Sequence, residues 1–265
     1  MDKTIELVNN VKDVQAMPSV IVKALNVMKD PNSGMKELGD IVIFDPSLTV
    51  KFLALVNSAY YGFSQQISSI NIALSLLGMA KVKNIIITVA MKPMMSNVGD
   101  KEIWRHAIKV AAGCEHLAKI GNVAKADEIF IAGFMHDIGK LVLNASDAQL
   151  YEKVLAEVNA GGNILEAEKK YFDSDHTKTG ALIAKRWQLP VFLTNIIKYH
   201  HNPKLSTMPA ICNIVYNVDL MVRDDFKPDL LDKEFIQGLG TDETGLYALR
   251  EAILEKANIM ISELS

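Results

Sequence analysis

The segment ADEIFIAGFMHDIGKLVL, residues 126–143, decides how the chain is read. An apolar run leads into His136 and Asp137, and Gly139, Lys140 and a second apolar run follow. The whole segment reads as helical. Neighbouring residues on a helix point about 100° apart. His136 and Asp137 can therefore serve one ion only where several helices converge or where the helix ends. On this reading Gly139 is a helix-end residue.

Outward from this segment the helical period persists. In FDPSLTVKFLALVNS, Asp45 reads as an N-cap and Pro46 as the first helical residue. SSINIALSLLG opens on serines, gathers Ile70, Ala73, Leu74 and Leu77 on one side, and ends at Gly78. The next helix is expected over roughly 79–91, stopped by Pro93. IIITV at 85–89 is β-rich, but the helical spacing on either side assigns it to that helix. A polar break, SNVGDKE at 96–102, contains Gly99 and a capping Asp100. It marks the expected boundary between an N-terminal helical lobe, 1–95, and a second lobe with a C-terminal helix, 96–265. No run of alternating short strands and no repeat interrupts the pattern. The fold class is all-α.

The totals narrow the function. The chain has 265 residues, 49% apolar and 22% charged, with a formal net charge of −3. That balance suits a globular protein with a substantial core. It argues against DNA as a partner, since a bulk nucleic-acid binder carries a strong basic excess. Two cysteines, Cys114 and Cys212, make neither a disulfide framework nor a zinc knuckle. The polar N-terminus resembles no signal peptide, and the longest apolar run is too short to span a bilayer. The expected location is a reducing cytoplasm, with no membrane partner.

Six histidines are present, and five keep suggestive company. Glu102 and His106 are four apart and share a helix face. His136 and Asp137 are adjacent. His176 follows Asp175 and opens a helical stretch, and His200 and His201 close an apolar one. Asp219 stands in the apolar stretch IVYNVDLMV, where an unpaired carboxylate is costly. Imidazole and carboxylate together suit a divalent transition metal: iron, manganese, nickel or zinc. A carboxylate such as Asp137 can bridge two ions, which in paired sites lie roughly 3.5–4 Å apart. Each pair alone is weak evidence, because histidines and helix-surface ion pairs are common. Their conjunction points to a metal. His116, in GCEHLAK, reads as an ordinary helix residue.

HDIGKLVL at 136–143 resembles the signature of the HD superfamily of helical metal-dependent phosphohydrolases. A closer resemblance is to the HDOD domain, an HD-related output domain of bacterial signalling proteins. MPSVIVKAL at 17–25 is similar to its opening, and FDPSLTVKFLALVNSAYYG at 44–62 to its DPxLTxKLLxxxNSxxY element. ISSINIALSLLGMAKVKNIII at 67–87 and DHTKTGALIAKRWQLPVFLTNIIKYHHNP at 175–203 match two further elements. The resemblance covers roughly residues 15–225. It implies an all-α fold with an HD-like core and a signalling module that has lost part of its metal site. Here the sequence departs from that pattern. Glu102, His106, His136, Asp137, His176, His200, His201 and Asp219 resemble, in order and type, the ligand set of the related HD-GYP cyclic-dinucleotide phosphodiesterases. The Gly-Tyr-Pro of those enzymes is absent, since NPKLSTM follows His201.

Two functions follow as expectations. The first is a signalling module that works mainly by binding other signalling proteins. The second is a metal-dependent phosphohydrolase acting on a nucleotide or cyclic dinucleotide. In the second, Asp137 bridges two ions and Lys140 stabilises charge developing on phosphate; for Lys140 a favourable place near a helix end is the plainer reading.

Overall fold

The computed structural model describes the chain apart from residues 1, 12, 13, 15, 30–33, 99, 100 and 122–125. The described residues form α-helices, turns and two short 3₁₀ segments, with no strand among them. The all-α expectation holds. The first helices are α1 (Lys3–Asn10), α2 (Ser19–Lys29), α3 (Met35–Ile43), α4 (Pro46–Val56), α5 (Ile70–Leu77) and α6 (Met79–Val98). Then come α7 (Lys101–Ile120), α8 (Ala126–Met135), α9 (Ile138–Ser146), α10 (Ala148–Asn159) and α11 (Ile164–Phe172). The last are α12 (His176–Arg186), α13 (Val191–Tyr199), α14 (Pro209–Met221), α15 (Lys233–Leu239) and α16 (Glu243–Leu264).

The punctuation acts as the chemistry predicts at two helices. Asp45 caps α4, its carboxylate accepting from the Leu48 amide at 3.0 Å, with Pro46 at the first helical position. Gly78 ends α5 at φ +78°, where a side chain would be strained. Pro93 departs from expectation. It lies inside α6 and does not stop it. Proline removes one helical hydrogen bond and crowds the carbonyl four residues earlier. Val89, Met91 and Met95 on both sides of it are buried, and their packing holds the helix through the proline. Gly99 and Asp100, the expected break and cap, lie outside the described residues.

Helix α7 is the centre of the molecule. It packs against α8 most extensively, and against α16, α14 and α6. Its Gly113 faces Val218 of α14 and Ile253 of α16, where any Cβ would clash. Helices α2 to α6 pack on one another, and α16 returns to touch both α7 and α4. Helix α1 lies against α12 and α9, far from its sequence neighbours. One continuous apolar core runs through these helices. No single helix among the described residues is long and apolar enough to cross a membrane; α5 and α6 meet that test only as a pair bent by 119°.

Candidate metal centre

The HD segment is helix, break, helix. Helix α8 ends at Met135, and Asp137, at φ −97° and ψ 12°, precedes α9. The interruption turns two neighbouring side chains toward one point, so that His136 Nε2 lies 3.2 Å from Asp137 Oδ2. Gly139, expected to end a helix, is instead the second residue of α9. A Cβ there would sit 1.9 Å from the His176 carbonyl oxygen and 2.6 Å from the Gly180 nitrogen. Glycine is required because α9 and α12 cross backbone against backbone. That crossing delivers His176, the first residue of α12, beside Asp137.

Around Asp137 two histidine groups form. His106, from the second turn of α7, and His136 lie on the Oδ2 side, with Nε2 atoms 3.7 and 3.2 Å away. Asp219, from α14, closes this group: its Oδ1 is 2.9 Å from His106 Nε2 and 3.8 Å from His136 Nε2. On the Oδ1 side are His176 at 3.3 Å and His200 at 3.6 Å. His201 joins them, its Nε2 3.0 Å from that of His176. His200 and His201 follow the end of α13 directly. Glu102 stays at the rim of the site, largely exposed and 3.5 Å from Arg105, outside both groups. His116 is elsewhere, beside Lys256.

The ring orientations are fixed from behind. His136 Nδ1 bonds the Gly133 carbonyl at 2.7 Å, and His200 Nδ1 the Ile197 carbonyl at 2.9 Å. His176 Nδ1 bonds Glu168 Oε2 at 2.7 Å. A carbonyl can only accept, so in His136 and His200 a proton sits on Nδ1, and the neutral form of each ring turns its Nε2 lone pair inward. The Nε2 atoms of His176 and His200 face each other at 3.2 Å. Facing lone pairs repel unless a cation lies between or beside them. His136 Nε2 and Asp137 Oδ1 are sealed from solvent and make no hydrogen bond of normal geometry among the described residues. Such orphans are costly in a folded interior. An imidazole and carboxylate set with inward lone pairs and orphaned atoms fits divalent transition metals.

Charge is balanced by two cations, one sharing the Asp137 oxygen that faces His106 and His136, the other on the Asp219 oxygen turned away from the histidines. Lys140 Nζ is 2.6 Å from Asp137 Oδ2, and an Arg223 amine is 2.5 Å from Asp219 Oδ2. Burial alone would raise Asp137, but the His136 and Lys140 charges hold its carboxyl well below the usual range. Asp219 is likewise depressed, against burial, by His106, His136 and Arg223. Burial lowers His200 to about 4 and pushes His201 further down. Burial also lowers His106. His136 goes the other way, raised to about 9 against burial by Asp137 and Asp219. The centre thus offers ionised carboxylates with His106, His200 and His201 held neutral, while the proton held on His136 is one that a bound ion would displace.

The centre opens into a cleft of about 610 Å³. His106, Asp137, Lys140, Asp219 and Arg223 reach its floor; Ile103, Tyr151, Leu155, Val158 and Ile164 supply apolar lining. Sequence reasoning missed Arg223 and Glu168. Arg223 sat in the charged run RDD, which reads as a solvated turn, although its place one turn after Asp219 was a usable signal. Glu168 had none.

A family profile for the HDOD domain matches residues 14–203. The chain belongs to the HDOD domain family. An HDOD domain protein of unknown function from Geobacter sulfurreducens has the same fold, with a TM-score of 0.84 at 24% identity over 98% of this chain and 97% of that one. A candidate phosphohydrolase from Shewanella amazonensis superposes with a TM-score of 0.77 at 24% identity, covering 98% of both chains. An uncharacterised protein of Treponema pallidum is 26% identical over 201 residues, 74% of this chain but 39% of its own length. The HDOD chain therefore spans about two fifths of that relative.

Proposed function

We propose that this HDOD protein is a signal-transduction module whose HD centre binds two divalent transition-metal ions and hydrolyses a phosphate ester. The observation that supports it is the division of Asp137 between two groups. Oδ2 faces His106 and His136, and Oδ1 faces His176 and His200. His106, His136, Asp137 and Asp219 would hold one ion. Asp137, His176, His200 and His201 would hold the other. Iron, manganese, nickel and zinc suit this donor set. Such a pair supplies activated water and neutralises charge on phosphoryl oxygens.

The chain's own groups do the remaining work. Asp137 and Asp219 stay ionised and present carboxylate oxygens to the ions. Lys140 of α9 and Arg223, in the turn just past α14, present cations where negative charge grows on a phosphate. The apolar lining accommodates the rest of the ester. The substrate class is a nucleotide or a cyclic dinucleotide, and the missing Gly-Tyr-Pro argues for recognition unlike that of HD-GYP enzymes.

The test pairs metal content with turnover. Protein purified without a histidine tag is expected to carry about two equivalents of metal. It should hydrolyse at least one member of a panel of nucleotides and cyclic dinucleotides, and Asp137→Ala should not. A chain that is metal-free and ignores added metal would overturn the proposal.

A second reading has one specific observation in its favour. Phe44, at the α3–α4 junction, is 83% exposed, and Val50, inside α4, is 68% exposed, apolar groups of the kind that protein contacts cover. On this reading the output is binding of signalling proteins, and metal occupancy sets the binding state. Partner binding lost in Asp137→Ala, with no turnover by wild type, would favour it.

A further inference from the structure

Glu168 is as deeply placed as any ligand. Both it and His176 have no exposed surface. It lies at the middle of α11, and a three-residue turn, with Asp173 in the left-handed region at φ 52°, reverses the chain into α12. The reversal puts one carboxylate oxygen, Glu168 Oε2, against two donors of the same residue. It accepts from the His176 backbone amide at 2.8 Å and faces His176 Nδ1 at 2.7 Å. The first bond fixes the start of α12, and the second fixes the ring. Glu168 Oε1 has no hydrogen-bond partner among the described residues.

This arrangement sets the two halves of the centre apart. His136 and His200 are backed by neutral carbonyls. Among the described residues only His176 is backed by a carboxylate, which makes an imidazole a stronger electron donor and locks its tautomer. The half containing His176 offers three imidazoles and one carboxylate oxygen. The other offers two imidazoles and two carboxylates.

We propose that Glu168 is a positioning residue that selectively strengthens the His176–His200–His201 half of the centre, so that the two ions bind with unequal affinity. This rests on the metal reading above and concerns a residue that touches no ion itself.

The test is a cobalt(II) titration against a competing chelator, read by visible absorption, on wild type, Glu168→Gln and Glu168→Ala. Wild type is expected to bind two equivalents. Glu168→Gln keeps an acceptor but loses the charge, so one equivalent should weaken about 10–100-fold while the other stays within about twofold. Glu168→Ala should weaken that same equivalent further. Nitrogen-15 NMR of the metal-free wild type should show the His176 proton on Nδ1, with a mixed tautomer in Glu168→Gln. The proposal is overturned if both equivalents bind Glu168→Gln as tightly as wild type. It is also overturned if both weaken equally alongside a fall in the melting temperature of the metal-free protein, the pattern of a purely structural role. Should wild type bind no cobalt, the metal reading itself fails; a proton on Nε2 of His176 would then overturn the positioning role separately.

Discussion

His136 and Asp137 are adjacent in sequence, yet His136 Nε2 and Asp137 Oδ2 meet at 3.2 Å. A continuous helix would aim them about 100° apart. They meet because α8 ends before His136 and α9 begins after Asp137. The break lets one carboxylate stand between two histidine groups that arrive from four other places in the chain.

That placement predicts how the ions leave. Asp137→Ala removes the carboxylate shared by both groups and should abolish binding of both ions. Hydrolytic rate should fall by several powers of ten, because activation of water by the ions is the core of such chemistry. His201→Ala should lose only the ion on the Oδ1 side, and Asp219→Ala only the ion on the Oδ2 side. Metal per chain, measured by atomic emission after gel filtration, distinguishes the three. Equal loss in His201→Ala and Asp219→Ala would mean a single cooperative unit without separable halves.

The crossing of α9 and α12 predicts a ranking. In Gly139→Ala the new methyl meets backbone, 1.9 Å from the His176 carbonyl oxygen. In Gly180→Ala the closest atom is a side-chain methyl, Ile197 Cγ2 at 2.8 Å, with the Gly139 nitrogen at 3.0 Å. Overpacking of this kind costs about 1–3 kcal/mol and more where backbone must move. Gly139→Ala should lie at or above about 3 kcal/mol and Gly180→Ala below it. Urea unfolding of the metal-free variants gives the order.

These residues also show what the sequence could carry. The histidines and Asp219 were legible because their chemistry is unusual in apolar helices. The role of Gly139 was not, because its reason is a contact with residues 176 and 180 that no local pattern records. Pro93 carried a true local signal that tertiary packing overrode. Glu168 stood in EAEKKYF, whose charges read as a solvated face; its burial follows from how α11 meets α12. Glu102 matched a ligand by spacing, but a helical position fixes only its face, and the side chain remains at the rim.

The two thiols should be inert in the folded protein. Cys114 and Cys212 are both free and fully buried. Burial pushes the Cys212 thiol up to about 11, and it raises Cys114 as well. The thiolate is the reactive form, so at pH 8 only about one Cys212 in a thousand is reactive even before burial limits access. Reactivity should climb roughly tenfold per pH unit toward 11 and then level off. Labelling with a thiol-reactive dye checks this. Fast labelling at pH 8 without denaturant would mean that α7 or α14 opens in the native state.

Arg223 separates a role on the substrate from a role on the metal. It binds Asp219 Oδ2 at 2.5 Å, and Asp219 raises its already high pKa. Its backbone is fixed by Arg250 of α16, whose guanidinium donates to the Arg223 and Met221 carbonyls, each at 2.9 Å. The side chain therefore extends from a held position at the floor of the cleft. Asp219 also makes a 2.9 Å contact with His106 through its other oxygen, so the arginine is not its only anchor. Arg223→Gln should therefore leave two ions per chain while removing a cation from the substrate's phosphate. Hydrogen bonds to charged groups contribute about 1.5–3 kcal/mol, so KM should rise roughly 10–100-fold. Arg223→Lys should recover part of that loss, because the charge returns without the planar fork. If Arg223→Gln instead loses one ion while KM for the remaining activity is unchanged, the arginine serves to hold Asp219 against the metal and does not meet the substrate.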